Sequence, residues 1–248
     1  PFQRVGMFVG VDGCPDGWVA IRYGDEGYAD AGLYSDIEDL WATHGDTARR
    51  VLIDVPIGLR EDSSRKRVCD DVARQVLSPT RHSSVFPVPV RAAVHAESYE
   101  AAKAIQEERT DGSLGVQSWN IADNIAELDT FLRETAPETV GTVREAHPEV
   151  CFWALNNRSP TGYSKTGQGA AAFWERIDIL ERADEEVLTH VRDAGTDLDA
   201  GVDNDDILDA FVLALTAHPE TGDLRTLPAE PPVDERGLPM EMVHADPE

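Results

Sequence analysis

Residues 5–34 read VGMFVGVDGCPDGWVAIRYGDEGYADAGLY. The apolar run from Val5 to Val11 ends on a carboxylate, Asp12. Gly13, Pro15, Asp16 and Gly17 then turn the chain, and Trp18 to Tyr23 reads as a second strand. Gly24, Asp25 and Gly27 turn it again, and Tyr28 to Tyr34 reads as a third. Strands joined by turns this short predict an antiparallel meander at the start of an α/β fold. A carboxylate at the edge of a buried strand, beside glycines, leaves room for a ligand or a metal ion. The same residue could equally do no more than accept hydrogen bonds from the turn amides.

The rest of the chain bears on that choice. With 248 residues, 41% of them hydrophobic, it is long enough for one large α/β domain or two small ones. No apolar run approaches the length of a membrane span, and no signal-peptide pattern opens the chain. Met7 is a candidate native start. Cys14, Cys69 and Cys151 lie far apart without metal-ligand spacing, a usage that fits a reducing cytoplasm. Acids outnumber bases 47 to 22, for a formal charge of -25, and lysine occurs only at Lys66, Lys103 and Lys165. Acids spread so evenly over a chain with an intact core predict adaptation to concentrated salt. There the Debye length falls to about 3 Å at 1 M, so surface charge steers partners little. The acidity therefore does not by itself exclude nucleic acid.

Downstream, Ser35 is expected to cap a helix from Asp36 to His44. The segment from Arg50 to Val55 reads as a short strand ending at Asp54, a second carboxylate at a strand exit, stopped by Pro56 and Gly58. Residues 60–115 interrupt the pattern as an insertion. Ser63 or Ser64 is a candidate cap for a helix from Arg65 to Leu77, and Ser98 for one from Tyr99 to Glu108. Between them, prolines at 79, 87 and 89 impose a long loop, with Arg81, His82, Ser83, Ser84 and Arg91 available to an anion. It reads either as packing or as a wall beside a substrate. Residues 115–135 predict one amphipathic helix, with Ile121, Ile125, Leu128 and Leu132 on its apolar face and Gln117 and Asn120 near its start.

A further strand, Thr139 to Ala146, carries Glu145, with Glu149 as its rival for a third site acid. Pro148 suits the first turn of the next helix, and His147 reads as a cap or a ligand. Lys165 sits in a polar loop, a candidate phosphate contact, although its surroundings do not match GxxxxGK[ST]. The stretch DNDDILDAFVLALTA, 203–217, predicts a helix packed on the sheet. Asp206 and Asp209 share one of its faces. A helix dipole explains acids in the first turn, but Asp209 lies a turn deeper among apolar neighbours. A buried carboxylate needs a partner, and a divalent cation is a good one. The proline-rich tail is read as a connector with a possible edge strand in Leu238 to Val243 and a frayed end. The expected organisation is one domain, 7–244, with flexible ends at 1–6 and 245–248.

Four motifs and a fifth in the tail carry a resemblance: VGVDGCPDGW at 9–18, VLIDVPIGL at 51–59, REAHPEVCF at 144–152, DDILDAFVLALTA at 205–217 and RGLPMEMV at 236–243. In this order they resemble the family called domain of unknown function 429, described as predicted nucleases of the ribonuclease-H-like superfamily. The resemblance implies a mixed sheet, three antiparallel strands followed by parallel ones, flanked by helices. It implies metal-ligating acids at Asp12, Asp54, and Asp206 with Asp209; the spacing of the last pair is similar to that in Holliday-junction resolvases. Glu145 and His147 belong to the family's own motif. The activity so implied is hydrolysis of nucleic-acid phosphodiesters with Mg²⁺ or Mn²⁺. Glu145 would be a further ligand or general base, and Arg91, Arg144, His147 and Lys165 would meet the substrate. Two alternatives remain at this stage. One is a binding protein that kept the fold without catalysis. The other is an actin-like phosphotransferase or ATPase, disfavoured because 248 residues hold one copy of a fold such proteins duplicate. The expected location is the cytoplasm, and a homo-oligomer is compatible with the sequence. The metal reading requires the carboxylates of Asp12, Asp54 and Asp209 to converge.

Overall fold

The computed structural model describes residues 6–62, 66–198 and 201–247. The opening stretch forms β1 (Met7–Cys14), β2 (Gly17–Gly24) and β3 (Gly27–Tyr34), paired antiparallel as a meander. After α1 (Ile37–His44), β4 (Ala48–Ile53) pairs parallel to β1. The short β5 (Val143–Glu145) pairs parallel to β4, so the five-stranded sheet has the order β3-β2-β1-β4-β5.

Both faces of this mixed sheet are covered, which is why its central strands read as continuous apolar runs. Val9, Val11, Val51 and Ile53 point to one side and pack with Leu40, Ile125 and Leu128. Phe8 and Leu52 point to the other, against the last long helix. The insertion supplies α2 (Val68–Val76), α3 (Arg91–Val94) and α4 (Tyr99–Arg109). The chain then continues through α5 (Val116–Asn120) and α6 (Ala122–Thr130). Beyond β5 come α7 (Pro148–Leu155), α8 (Gly169–Leu180), α9 (Val187–Asp197) and α10 (Asn204–Ala217). The helix α10 is buried on nearly all sides, as its apolar composition demands. It lies against β1 at Gly10, where a Cβ would fall 2.1 Å from the Ala210 carbonyl oxygen and 2.2 Å from the Ala214 nitrogen. Only glycine permits that approach.

Several boundaries differ from expectation. The cap of α1 is Asp36, whose side chain accepts from Asp39 N, rather than Ser35. Ser63, Ser64 and Arg65 lie outside the described residues, and α2 begins only after Arg67. The helix expected over 115–135 is broken at Ile121. Its first turn belongs to the insertion, since the Ser118 hydroxyl donates to the Pro87 carbonyl and Trp119 meets Tyr99 edge-on. The apolar spacing starts at Ile121 and runs through α6 into the π-helical turn Phe131–Thr135 that follows it. The strand expected over 139–146 shrinks to β5 because Gly141, at φ 98, turns the chain just before it. As far as Asp246 the tail is ordered in a strand and is not an edge of the main sheet, while residues 1–5 and Glu248 of the expected flexible ends lie outside the described residues. β6 (Asp223–Leu227) and β7 (Met242–Asp246) form a separate antiparallel ribbon, with Met242, Val243 and Ala245 buried. α9 went unread, although Val187, Val191, Ala194 and Leu198 follow helical spacing.

Arg91 ties the insertion down. Its guanidinium donates to Glu61 at 2.7 Å and to Asp129 at 3.2 Å, and also to Asp234 before β7. No described helix is long and apolar enough to cross a membrane. All three cysteines are free thiols.

Candidate metal centre

Register places the first two acids. Val11 pairs with Ile53 across β1 and β4, and the Asp54 amide donates to the Val11 carbonyl at 3.0 Å. Asp12 and Asp54 therefore leave adjacent strand ends side by side. Because side chains alternate along a strand, both point opposite to Val11 and Ile53, toward α10. Gly10 lets α10 close in, and Asp209, buried at 7% exposure, comes near enough for its charge to raise the carboxyls of both Asp12 and Asp54, although among the described residues the three do not bring ligand atoms within 4.8 Å of one another. Asp206 lies one turn earlier at the rim, where its carboxylate accepts from Asp203 N in a capping box.

The four carboxylates feel one another. Burial first, then the charges of Asp54 and Asp209, hold the Asp12 carboxyl well above the usual range. Burial raises Asp54 to about 6, with Asp209 adding to the rise and His147 and Lys165 opposing it. Asp206 is also pushed to about 6, mainly by burial. Asp209 is raised by burial against the pull of Lys165. Crowded carboxylates cannot all ionise without compensation. The Lys165 ammonium supplies one positive charge through its ion pair with Asp209 Oδ2. Among the described residues Asp209 Oδ1 is buried with no hydrogen-bond partner, and Asp12 Oδ1 accepts only the adjacent Gly13 N–H at 2.9 Å. Oxygen donors of this kind, negatively charged and under-satisfied, suit a hard divalent cation.

Glu145 is not one of them. It pairs with Ile53 across β4 and β5, so alternation turns its side chain away from Asp12 and Asp54, although with Arg67 and Asp70 it lines the same cleft beyond the strand ends. There Arg67 donates to it at 2.7 and 2.8 Å, and Ile57 N at 2.6 Å. Burial pushes its carboxyl up to about 7 against the pull of Arg67. Cys69, Asp70 and Glu145 can bring ligand atoms within 4.8 Å of one another, but the Arg67 guanidinium, bonded to both carboxylates, takes the cation's place. Arg91 and Arg144 are also absent from the acid cluster. Arg91 is occupied by the network described above, and Arg144 pairs with Glu241 at 2.8 Å. The expected roles of Glu145 as ligand or base, and of these two arginines as phosphate contacts, find their side chains already satisfied.

His147 does reach the site. It caps α7, accepting from Glu149 N at Nδ1, with Nε2 3.3 Å from the Ser84 carbonyl. Glu149, in the first turn of α7, is held below its ordinary range because Arg176 and Thr161 outweigh burial. Arg176 is fully buried and pairs with it, and the Thr161 hydroxyl donates at 2.7 Å.

Two adjoining clefts open over the acids. One, of ≈ 260 Å³, runs past Asp12, Gly13 and Asp54 between apolar walls that include Phe86, Val88 and Ile121. The other, of ≈ 470 Å³, is polar and includes Arg81, Ser83, Lys165 and Asp209. Asp54, Ser84, Phe86 and His147 line both. The insertion thus supplies a wall of the cleft as well as packing.

Residues 10–233 match the family model described as "Protein of unknown function (DUF429)". The chain belongs to that family. No curated protein and no solved structure matches it. The DUF429 match spans Asp12, Asp54, Asp206 and Asp209 together with Lys165 and the insertion, and ends before β7. Within this DUF429 chain, sequence reasoning missed Arg67, Arg176 and Thr161. Asp70, three residues on, is a local partner of Arg67, but nothing local marks Glu145, which lies 78 residues away. Arg176 sits among apolar residues of α8, and a cation in that position is the one signal that it needed a buried acid.

Proposed function

We propose that this DUF429 protein is a divalent-metal-dependent nuclease, hydrolysing phosphodiesters of nucleic acid at the Asp12–Asp54–Asp209 cluster. The observation that carries the reading is the buried Asp209 Oδ1, without a hydrogen-bond partner among the described residues, whose carboxylate raises the carboxyls of both Asp12 and Asp54. The strand order, with an antiparallel meander followed by parallel strands, supports a ribonuclease-H-like fold. Acids at the first strand, the fourth strand and the last helix support the reading, because the resemblance implies metal ligands at those elements.

Asp12, Asp54 and Asp209 would hold Mg²⁺ or Mn²⁺, with Asp206 contributing charge from the rim. When bound, the ion would make a water more acidic and stabilise the leaving oxygen. With that chemistry supplied, a water oxygen would bond to phosphorus as the ester P–O bond breaks, the water's proton passing to solvent and the leaving oxygen taking one from it. Lys165, the cation nearest the acids, would exchange Asp209 for a phosphate oxygen. Arg176 keeps Glu149 paired, so that this acid does not compete for the ion. His147 is committed as a cap and orients the start of α7 beside Asp54.

A second reading has its own observation. The Lys165–Asp209 pair already compensates part of the charge, as it would in a binding protein that kept the fold without catalysis. The two are separated by incubating the protein with labelled single-stranded DNA, RNA and branched junctions in multimolar KCl with Mn²⁺. High salt is chosen because the acidic surface reads as adapted to it. Cleavage abolished by Asp12→Asn is expected. Cleavage that survives this substitution, or Mg²⁺ stabilisation without turnover of any substrate, would defeat the nuclease reading.

A further inference from the structure

The two clefts differ in character, and the acids lie on their seam. The smaller is walled by Val55, Phe86, Val88 and Ile121, with Asp12 at one side. Phe86 is half-buried, and its ring has no aromatic partner among the described residues. Asn124 reaches into the same cleft. Its amide nitrogen lies 3.1 Å from where a Cβ on Gly13 would stand, and no described residue hydrogen-bonds to it. A ring face beside a free amide, which offers both a donor and an acceptor, is the chemistry by which proteins hold an unstacked nucleobase. The larger cleft is lined by Arg81, Ser83, Ser164 and Thr166, donors suited to an anion. Arg81 Nε is buried there without an acceptor among the described residues.

We propose that the cleft takes one unpaired nucleotide, the base against Phe86 and Asn124, the phosphate at Arg81, and the ester bond over Asp54. The choice of nucleotide as ligand rests on the nuclease reading. It sharpens that reading to single-stranded or extruded nucleotides, because a base inside a duplex has both faces and its pairing edge engaged and must leave the stack to enter. The insertion is then the element that selects the substrate, while the sheet and α10 hold the acids.

The test needs no metal and no turnover. Calorimetry on the full chain, in multimolar KCl with EDTA, measures adenosine, adenosine 5′-monophosphate, a single-stranded oligonucleotide and a blunt duplex. Adenosine and its monophosphate are expected to saturate one site. Phe86→Ala weakens both about tenfold, as loss of one stacking platform does; Phe86→Leu, which keeps the bulk, falls between. Arg81→Gln weakens the monophosphate and leaves adenosine unchanged, which also shows that this variant is folded. The single strand competes with the monophosphate and the duplex does not. The proposal is overturned by absence of saturable monophosphate binding, by affinity unchanged in Phe86→Ala, or by a duplex that competes as well as the single strand. Nucleotide binding without cleavage under Mn²⁺ would remove the nuclease reading and leave the nucleotide cleft. Cleavage indifferent to Phe86→Ala would do the reverse.

Discussion

Replacing Asp54 by asparagine should stabilise the metal-free protein above pH 6 while removing its response to Mg²⁺. In the folded chain this carboxyl is raised from its ordinary 3.8 to about 6, by burial first and by Asp209 next. A group whose folded pKa is raised holds its proton more tightly in the folded state. Its contribution to stability is therefore full below the unfolded pKa and is lost as pH climbs through about 6. Taken at face value, the rise corresponds to about 3 kcal/mol against the ionised form at neutral pH. Asp54 is only half-buried, so solvent screening lowers this to about 1–2 kcal/mol. In a chain of this size that is roughly 3–6 °C in Tm. Melting curves in EDTA at constant KCl, from pH 5 to 8, should show the wild-type falling relative to Asp54→Asn as pH rises through 6. Added Mg²⁺ should raise the wild-type Tm, more at pH 8 than at pH 5, because protons compete for the same oxygens. It should leave Asp54→Asn nearly unmoved. If the variant melts lower than wild-type in EDTA at pH 7.5 and still gains stability from Mg²⁺, the idea of a strained acid cluster awaiting a cation is wrong.

Gly10→Ala drives a methyl into the backbone of α10 and should lower Tm by several degrees, about 1–3 kcal/mol or more, with a weaker Mg²⁺ response because Asp209 is displaced; an unchanged melt would mean the helix does not seat as described. Arg67→Met strands Asp70 and Glu145 in the interior and should cost about 3–5 kcal/mol by chemical denaturation, part of it recovered when Glu145→Gln is added. Lys165→Met removes the cation that competes for Asp209, so Mg²⁺ titrated by calorimetry should bind several-fold more tightly; weaker binding would assign Lys165 to the metal site itself.

Which of these features the sequence discloses follows from how local their causes are. Asp12 and Asp54 stand out because an apolar strand ending on a carboxylate is visible in a few residues. Asp209 stands out because the helix dipole accounts for acids in the first turn and not for one a turn deeper. Glu145 looks identical to Asp54 by that criterion and is not equivalent, because its parity on β5 is set by pairing with β4. The pleat decides which face a side chain takes, and only the register of two distant strands fixes the pleat. The break at Ile121 was hidden for a related reason: the periodic signal of α6 carried the reading backward over five residues whose packing partners are in the insertion. Arg91 invited an anion-binding role from its place in a loop, and three acids from three separate segments claimed it instead.

The seat of α10 on β1 also sets a schedule. During synthesis Asp209 emerges 197 residues after Asp12. At the usual ~5–20 residues per second, the first strand waits on the order of 10–40 s for the helix that covers it. Throughout that interval one face of β1, with a flat stripe at Gly10 and a carboxylate at its end, has no native cover. Charge on an uncovered strand disfavours its pairing with other chains, so the carboxylate placed for the cluster also suits a strand that must wait.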